Sequence, residues 1–142
     1  MIRKDANDPA LLERFQALSR TGSFNQWAGF EVVRVVEGEV DIRMPWRDAD
    51  MGQYAGFLHA GLIAALLDTT CGFAAATISG PVLASQFAVN CLAPAVGDEF
   101  VSRGSVVKTG PKQIFTAGEL WAVRDAAPKL VATATTMLVP TD

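Results

Sequence analysis

A single acidic residue, Asp68, interrupts a long apolar stretch that runs from Leu58 to Ile78. A helix without a polar face is normally buried. A buried carboxylate is costly unless it is paired, hydrogen-bonded or protonated. Leu66, Leu67 and Phe73 surround Asp68 in sequence and should desolvate it, which makes it more basic than a surface aspartate. Such a group can deprotonate water as a general base or attack a carbonyl as a nucleophile. The competing reading is structural: an aspartate bonded to Thr69, Thr70 or a loop amide. Ahead of the helix runs Gln53-Tyr54-Ala55-Gly56-Phe57-Leu58-His59-Ala60-Gly61. The Ala60 and Gly61 amides fall at the helix start, where N–H groups lack intrahelical acceptors and can hold negative charge. Donors of that kind suit an oxyanion hole, although a helix start also uses small residues for packing alone.

This segment resembles the active-site segment of the hotdog-fold acyl-CoA thioesterases, in the phenylacetyl-CoA thioesterase-like (PaaI-type) branch with its 4-hydroxybenzoyl-CoA thioesterase relatives. Their pattern is Asn/Gln-x-x-Gly-x-x-His-Gly-Gly, six residues, then Asp/Glu. Gln53, Gly56, His59, Gly61 and Asp68 fall in register, and Ala60 stands where the first glycine of the pair is usual. The resemblance implies that Asp68 carries the hydrolysis and that the Ala60 amide belongs to the oxyanion hole. It implies that Gln53 positions the thioester or the attacking water. His59, the only histidine, is expected to fix the loop and the helix start. Some relatives carry a serine or threonine that assists the acid. One such position is Gly72 here, and another lies near Ser85, for which a solvent-facing strand residue is the plainer reading. The substrate implied is an acyl-CoA. Lys108 and Lys112, with Arg103, are candidate cations for its phosphates.

The elements that must position these groups can be read along the chain. Asp8-Pro9 reads as a helix start, with Leu11, Leu12, Phe15 and Leu18 on one face and Gly22 as the stop. Phe30 to Glu37 and Val40 to Met44 read as a hairpin. Pro45 to Tyr54 is polar and irregular. The apolar helix, Leu58 to Ile78, closes at Gly80-Pro81. Four strands follow: Val82 to Leu92, Glu99 to Thr109, Lys112 to Arg124 and Leu130 to Val139, with Asp125 to Lys129 as the last turn. Short turns imply an antiparallel sheet. Wrapping that sheet around the apolar helix gives an α+β layout. The resemblance implies the same picture, a hotdog fold of about six curved strands around one long central helix, with a short N-terminal helix.

Composition bounds the function. A chain of 142 residues with half of them hydrophobic suits one globular domain. The net charge is -3 and no basic run stands out, which argues against a nucleic-acid partner. Met1 to Pro9 has no apolar core and does not read as a secretory signal. The Leu58–Ile78 run approaches membrane-spanning length, but its His59, Asp68 and glycines favour a core helix, so no membrane partner is expected. Cys71 and Cys91 sit in apolar sequence and read as reduced core residues of a cytoplasmic protein. One histidine and two separated cysteines lack metal-ligand spacing, and no phosphate-loop or dinucleotide fingerprint is present. No metal or cofactor is therefore expected.

The leading expectation is a thioester hydrolase. The alternatives are a non-catalytic acyl-CoA-binding or regulatory domain of the same fold, and a hydratase or dehydratase. The hotdog resemblance implies a homodimer or homotetramer. Helix geometry adds a reason. His59 and Asp68 are nine residues apart, roughly 13 Å along a helix and on opposite sides of it. One helix cannot present its own N-terminal amides to its own Asp68, whereas two helices related by a two-fold axis can.

Overall fold

The computed structural model describes residues 6–141. Residues 1–5, part of the segment read as lacking a secretory signal, lie outside the described residues. Helix α1 (Pro9–Thr21) starts as its sequence dictates. The Asp8 carboxylate accepts the Ala10 and Leu11 amides at 3.0 and 3.2 Å, and Pro9 takes the first helical position. Gly22 ends it in an extended conformation, but only for one residue. A second short helix, α2 (Ser23–Ala28), follows at once and was not expected from the sequence. Gly29 closes it in the left-handed region, at φ 77°.

The hairpin β1 (Glu31–Val36) and β2 (Glu39–Pro45) turns at Gly38. Helix α3 (Ala60–Ser79) is followed by β3 (Val82–Cys91), β4 (Glu99–Thr109), β5 (Ile114–Arg124) and β6 (Ala127–Pro140). Strand β6 begins earlier than Leu130. Asp125 and Ala126 both adopt positive φ and make a two-residue turn instead of the longer loop expected. The six strands form one antiparallel sheet in the order β1-β2-β4-β5-β6-β3. This is the α+β hotdog layout. After the helix the chain crosses to the far edge, so β3 has a neighbour, β6, on one side only.

Helix α3 packs against β2, β3, β4, β5 and β6. Two glycines let it come close. Gly104 of β4 and Gly118 of β5 lie opposite each other in register. A Cβ on Gly104 would fall 2.8 Å from the Thr70 and Cys71 backbone, and one on Gly118 would fall 3.0 Å from the Cys71 sulfur. Beside them the Thr70 and Ser102 hydroxyls share a buried hydrogen bond. This contact fixes the rotation of α3. Leu66, Leu67, Thr70, Cys71 and Ala74 face the sheet and are buried. Asp68, Thr69, Gly72 and Phe73 are half-buried on the other side.

The expectation of a helix buried on every side is therefore corrected. An open sheet can cover one flank of a helix, and the opposite flank of α3 faces the N-terminal helices and open space. The reading of both cysteines as core residues is corrected too. Cys71 is buried, but Cys91 is exposed because it lies on the edge strand.

Candidate active site

Asp68 lines a cavity of about 750 Å³ between α1, α3 and the start of β3. Its carboxylate has no hydrogen-bond donor or ion-pair partner among the described residues. The two neighbours that a structural aspartate would use are engaged elsewhere. Thr69 donates its hydroxyl to the Ala65 carbonyl at 2.8 Å, and Thr70 donates to Leu66 at 2.7 Å. Burial pushes the Asp68 carboxyl above the ordinary aspartate range. A desolvated, unpaired carboxylate on an open cavity can act as a base or a nucleophile.

The helix start lies elsewhere. The loop before it is closed by its own hydrogen bonds: Gln53 N–H to the Phe57 carbonyl at 2.8 Å and Gly56 N–H to the Gln53 carbonyl at 2.9 Å. The Gln53 side-chain carbonyl accepts the Phe57 amide at 3.2 Å and also the Ala55 amide. Gly56 sits at φ 85°, where only glycine is unstrained. The Leu58 amide donates to the Ala95 carbonyl in the β3–β4 connection, and the His59 amide donates to the Met51 carbonyl within the same loop. His59 is the N-cap of α3, and its Nδ1 accepts the Gly61 amide at 2.8 Å. Gly61, expected to offer a free amide, is thus occupied. Among the described residues the Ala60 amide has no acceptor. It lies on a second cavity of about 400 Å³, with Gln53, Phe57, Cys91 and Leu92.

Asp68 and Ala60 therefore open onto different cavities of one chain. The remaining candidates are scattered. Ser85 sits at an irregularity of β3, and its hydroxyl donates to the Met137 carbonyl at 3.2 Å. Its neighbour Ala84, not Ser85, lines the Asp68 cavity. Lys108 and Lys112 are exposed at the β4–β5 turn and line neither cavity. Arg103 is bound to Asp41 by two hydrogen bonds at 2.7 and 2.9 Å and lines neither cavity. Cys71 faces the sheet beneath Gly118, where burial pushes its thiol up and makes it a poor nucleophile.

Sequence reading missed the wall that α1 gives to the Asp68 cavity: Arg14, Phe15, Ala17, Leu18 and Thr21. The signal is the apolar face of α1, from which Phe15 and Leu18 line the cavity. Among the aromatic residues on and near the motif, Phe73 lines the Asp68 cavity. Phe57 lines the Ala60 cavity. Phe24 and Trp27 line a third, smaller one beside His59 and Gly61.

Comparison with known proteins agrees with this fold. The family model for the thioesterase superfamily matches residues 55–128, the loop, the helix and the first three strands after it. No curated protein matches the sequence. The crystal structure of a thioesterase family protein from Silicibacter pomeroyi is similar at 31% identity and TM-score 0.86, over 91% of this chain and 96% of that one. The E. coli PaaI protein from the phenylacetic acid degradation operon shares the fold at 18% identity and TM-score 0.81, over 93% and 94% of the two chains. A thioesterase from Haemophilus influenzae does so at 21% identity and TM-score 0.79, over 98% and 94%. With the family model matching more than half of the chain and a thioesterase family protein similar over most of it, the chain belongs to the thioesterase superfamily.

Proposed function

We propose that this chain hydrolyses an acyl-CoA thioester to the free acid and CoA, with Asp68 as the reacting carboxylate. The observation that carries the reading is Asp68 itself, raised in pKa by burial, without a partner among the described residues, on a large cavity. As base, Asp68 takes a proton from water while the water oxygen bonds to the thioester carbon. The C–S bond then breaks and CoA leaves as its thiolate. As nucleophile, Asp68 bonds to that carbon, CoA leaves, and water opens the resulting anhydride. In either route the Ala60 N–H donates to the oxygen as it gains charge. A binding domain gains nothing from an unpaired buried carboxylate, which disfavours the non-catalytic reading.

The reading includes a site shared between two copies of the chain. Two features of β3 support it. Its outer edge is unpaired and apolar: Leu83 is 68% exposed and Phe87 46%. Its start lines the Asp68 cavity, with Val82 to Ala84, and its end lines the Ala60 cavity, with Cys91. Antiparallel pairing of β3 with its own copy about the strand centre sets Val82 opposite the partner's Cys91. The Asp68 cavity of one copy then meets the Ala60 cavity of the other. A homodimer is the smallest assembly that completes the site, and a homotetramer would contain two such dimers. A cytoplasmic location, with both thiols free, belongs to the same proposal.

The test is thiol release across a panel of acyl-CoAs, with wild type and Asp68→Asn. Turnover that depends on Asp68 supports the reading. Acyl-CoA binding without turnover would favour the non-catalytic alternative.

A further inference from the structure

The cavity beside Asp68 is elongated along α3. Asp68, Gly72 and Ala76 follow one another at one-turn intervals along its wall, and Gly80 and Pro81 line it beyond the helix end. Phe15 of α1 and Phe73 of α3 bridge the two helices with ring centroids 5.4 Å apart. The space over Gly72 is open: a Cβ there would meet only a Leu138 methyl, at 3.8 Å.

The polar residues of the wall are turned to protein partners. Thr69 and Thr21 donate to carbonyls of their own helix, at 2.8 and 2.7 Å, and the Asn25 amide donates to the Ser19 hydroxyl at 3.3 Å. Arg14 is exposed, with its guanidinium 5.5 Å over the Phe15 ring. Beyond Asp68 and Thr69, α3 lines the cavity with Gly72, Phe73 and Ala76, and Leu18, Leu83 and Leu138 of other elements complete the apolar wall. An occupant there meets hydrocarbon.

We propose that this cavity is an acyl channel selecting a straight aliphatic chain of medium length. The inference rests on the thioesterase reading of Asp68. The thioester carbon sits at Asp68, and the chain passes over Gly72 and Ala76 toward Gly80. Asp68 to Ala76 is eight residues, about 12 Å along the helix. Carbon–carbon bonds of ~1.5 Å advance a zigzag chain by roughly 1.3 Å per carbon, so about nine carbons reach Ala76. Gly72 sets the entry to the channel and Ala76 its length.

The experiment is a chain-length series, from acetyl-CoA to palmitoyl-CoA with phenylacetyl-CoA alongside, read as kcat/KM by thiol release. In the wild type kcat/KM should rise by about three- to fourfold per carbon as each methylene leaves water, and turn over near decanoyl-CoA. Gly72→Leu should cut decanoyl-CoA hydrolysis by about thirtyfold or more, with acetyl-CoA changed less than about threefold. Ala76→Leu should move the optimum to shorter chains. Gly72→Ala, which favours the helix and clashes with nothing, should fold at least as stably as wild type and shift the profile in the same direction. Equal losses on all lengths, or phenylacetyl-CoA as the best wild-type substrate, would overturn the channel.

A binding measurement separates the channel from the chemistry. The thioethers S-decyl-CoA and S-ethyl-CoA cannot be hydrolysed. Calorimetric preference for S-decyl-CoA in wild type, lost in Gly72→Leu, supports the channel even if no acyl-CoA is turned over. Absence of that preference sinks it even if hydrolysis is fast.

Discussion

The Nδ1 atom of His59 accepts the Gly61 amide hydrogen at 2.8 Å, and that one bond separates two amides that look alike in the sequence. Gly61 is consumed in capping the helix, and Ala60 is the amide left over. An acceptor Nδ1 places the ring proton on Nε2, so the imidazole serves α3 as a cap. His59→Ala should therefore cost about 1 kcal/mol and lower Tm by about 3–4 °C. His59→Asn, which can cap equally well, should restore stability and keep turnover within about threefold. Loss of turnover in His59→Asn at full stability would make the imidazole a participant in the chemistry.

Asp68→Asn removes the proposed reacting carboxylate without changing shape. Turnover should fall by about 10²–10⁴-fold. Stability should hold or rise, because the folded state no longer desolvates a charge. A large drop in melting temperature would make Asp68 a structural residue.

The pH dependence has a definite sign. Burial raises the Asp68 pKa in the folded state, so its protonated form favours folding. That contribution is fully present below the unfolded pKa and is lost as pH rises through the folded one. Wild type should thus lose stability relative to Asp68→Asn as pH rises through the acid range. Activity moves the other way: kcat/KM should rise with pH as Asp68 ionises, with its acid limb above the ordinary aspartate range. Denaturation curves and rate profiles from pH 4 upward check both, at about half-unit steps.

The proposed shared site predicts complementation. A Cβ at Gly61 would lie 2.9 Å from His59 Nδ1, so Gly61→Val displaces the cap and spoils the helix start. Gly61→Val and Asp68→Asn homodimers each carry two damaged sites. A mixed dimer carries one site with both lesions and one with neither. Random pairing should return about a quarter of wild-type activity on co-expression. Mixed dimers without recovery would confine the site to one chain.

Phe87→Asp puts a charge on the exposed edge of β3. The variant should run as a monomer in light-scattering chromatography and lose activity by about a hundredfold or more, because the proposed dimer is what brings Asp68 to a second helix start. A monomer with wild-type turnover would overturn the paired-edge arrangement.

Gly104→Ala tests the seating of α3. Its Cβ would press on the Thr70–Cys71 backbone at 2.8 Å, and backbone cannot swing aside. A loss of about 1–3 kcal/mol is expected in urea denaturation, with turnover falling as Asp68 shifts.

The sequence by itself determined the order of elements, the N-cap at Asp8, the loop that ends at His59 and the single carboxylate in an apolar helix. Each is local: a cap, a turn glycine or a hydrophobic period acts within a few residues of itself. Local signals also misled. One extended residue at Gly22 was read as the end of helical structure, and α2 was missed. Only the tertiary structure decided which flank of α3 is covered. That depends on Gly104 and Gly118 meeting Thr70 and Cys71 across more than thirty residues of chain. It decided that Cys91 is exposed, because edge position follows from strand order and not from apolar neighbours. It decided that Asp68 has no partner among the described residues, since Thr69 and Thr70 turn their hydroxyls back to the helix. And it decided which walls Asp68 and Ala60 meet, because the crossing of the chain to the far edge of the sheet brings the start of β3 to Asp68 and its end to Ala60.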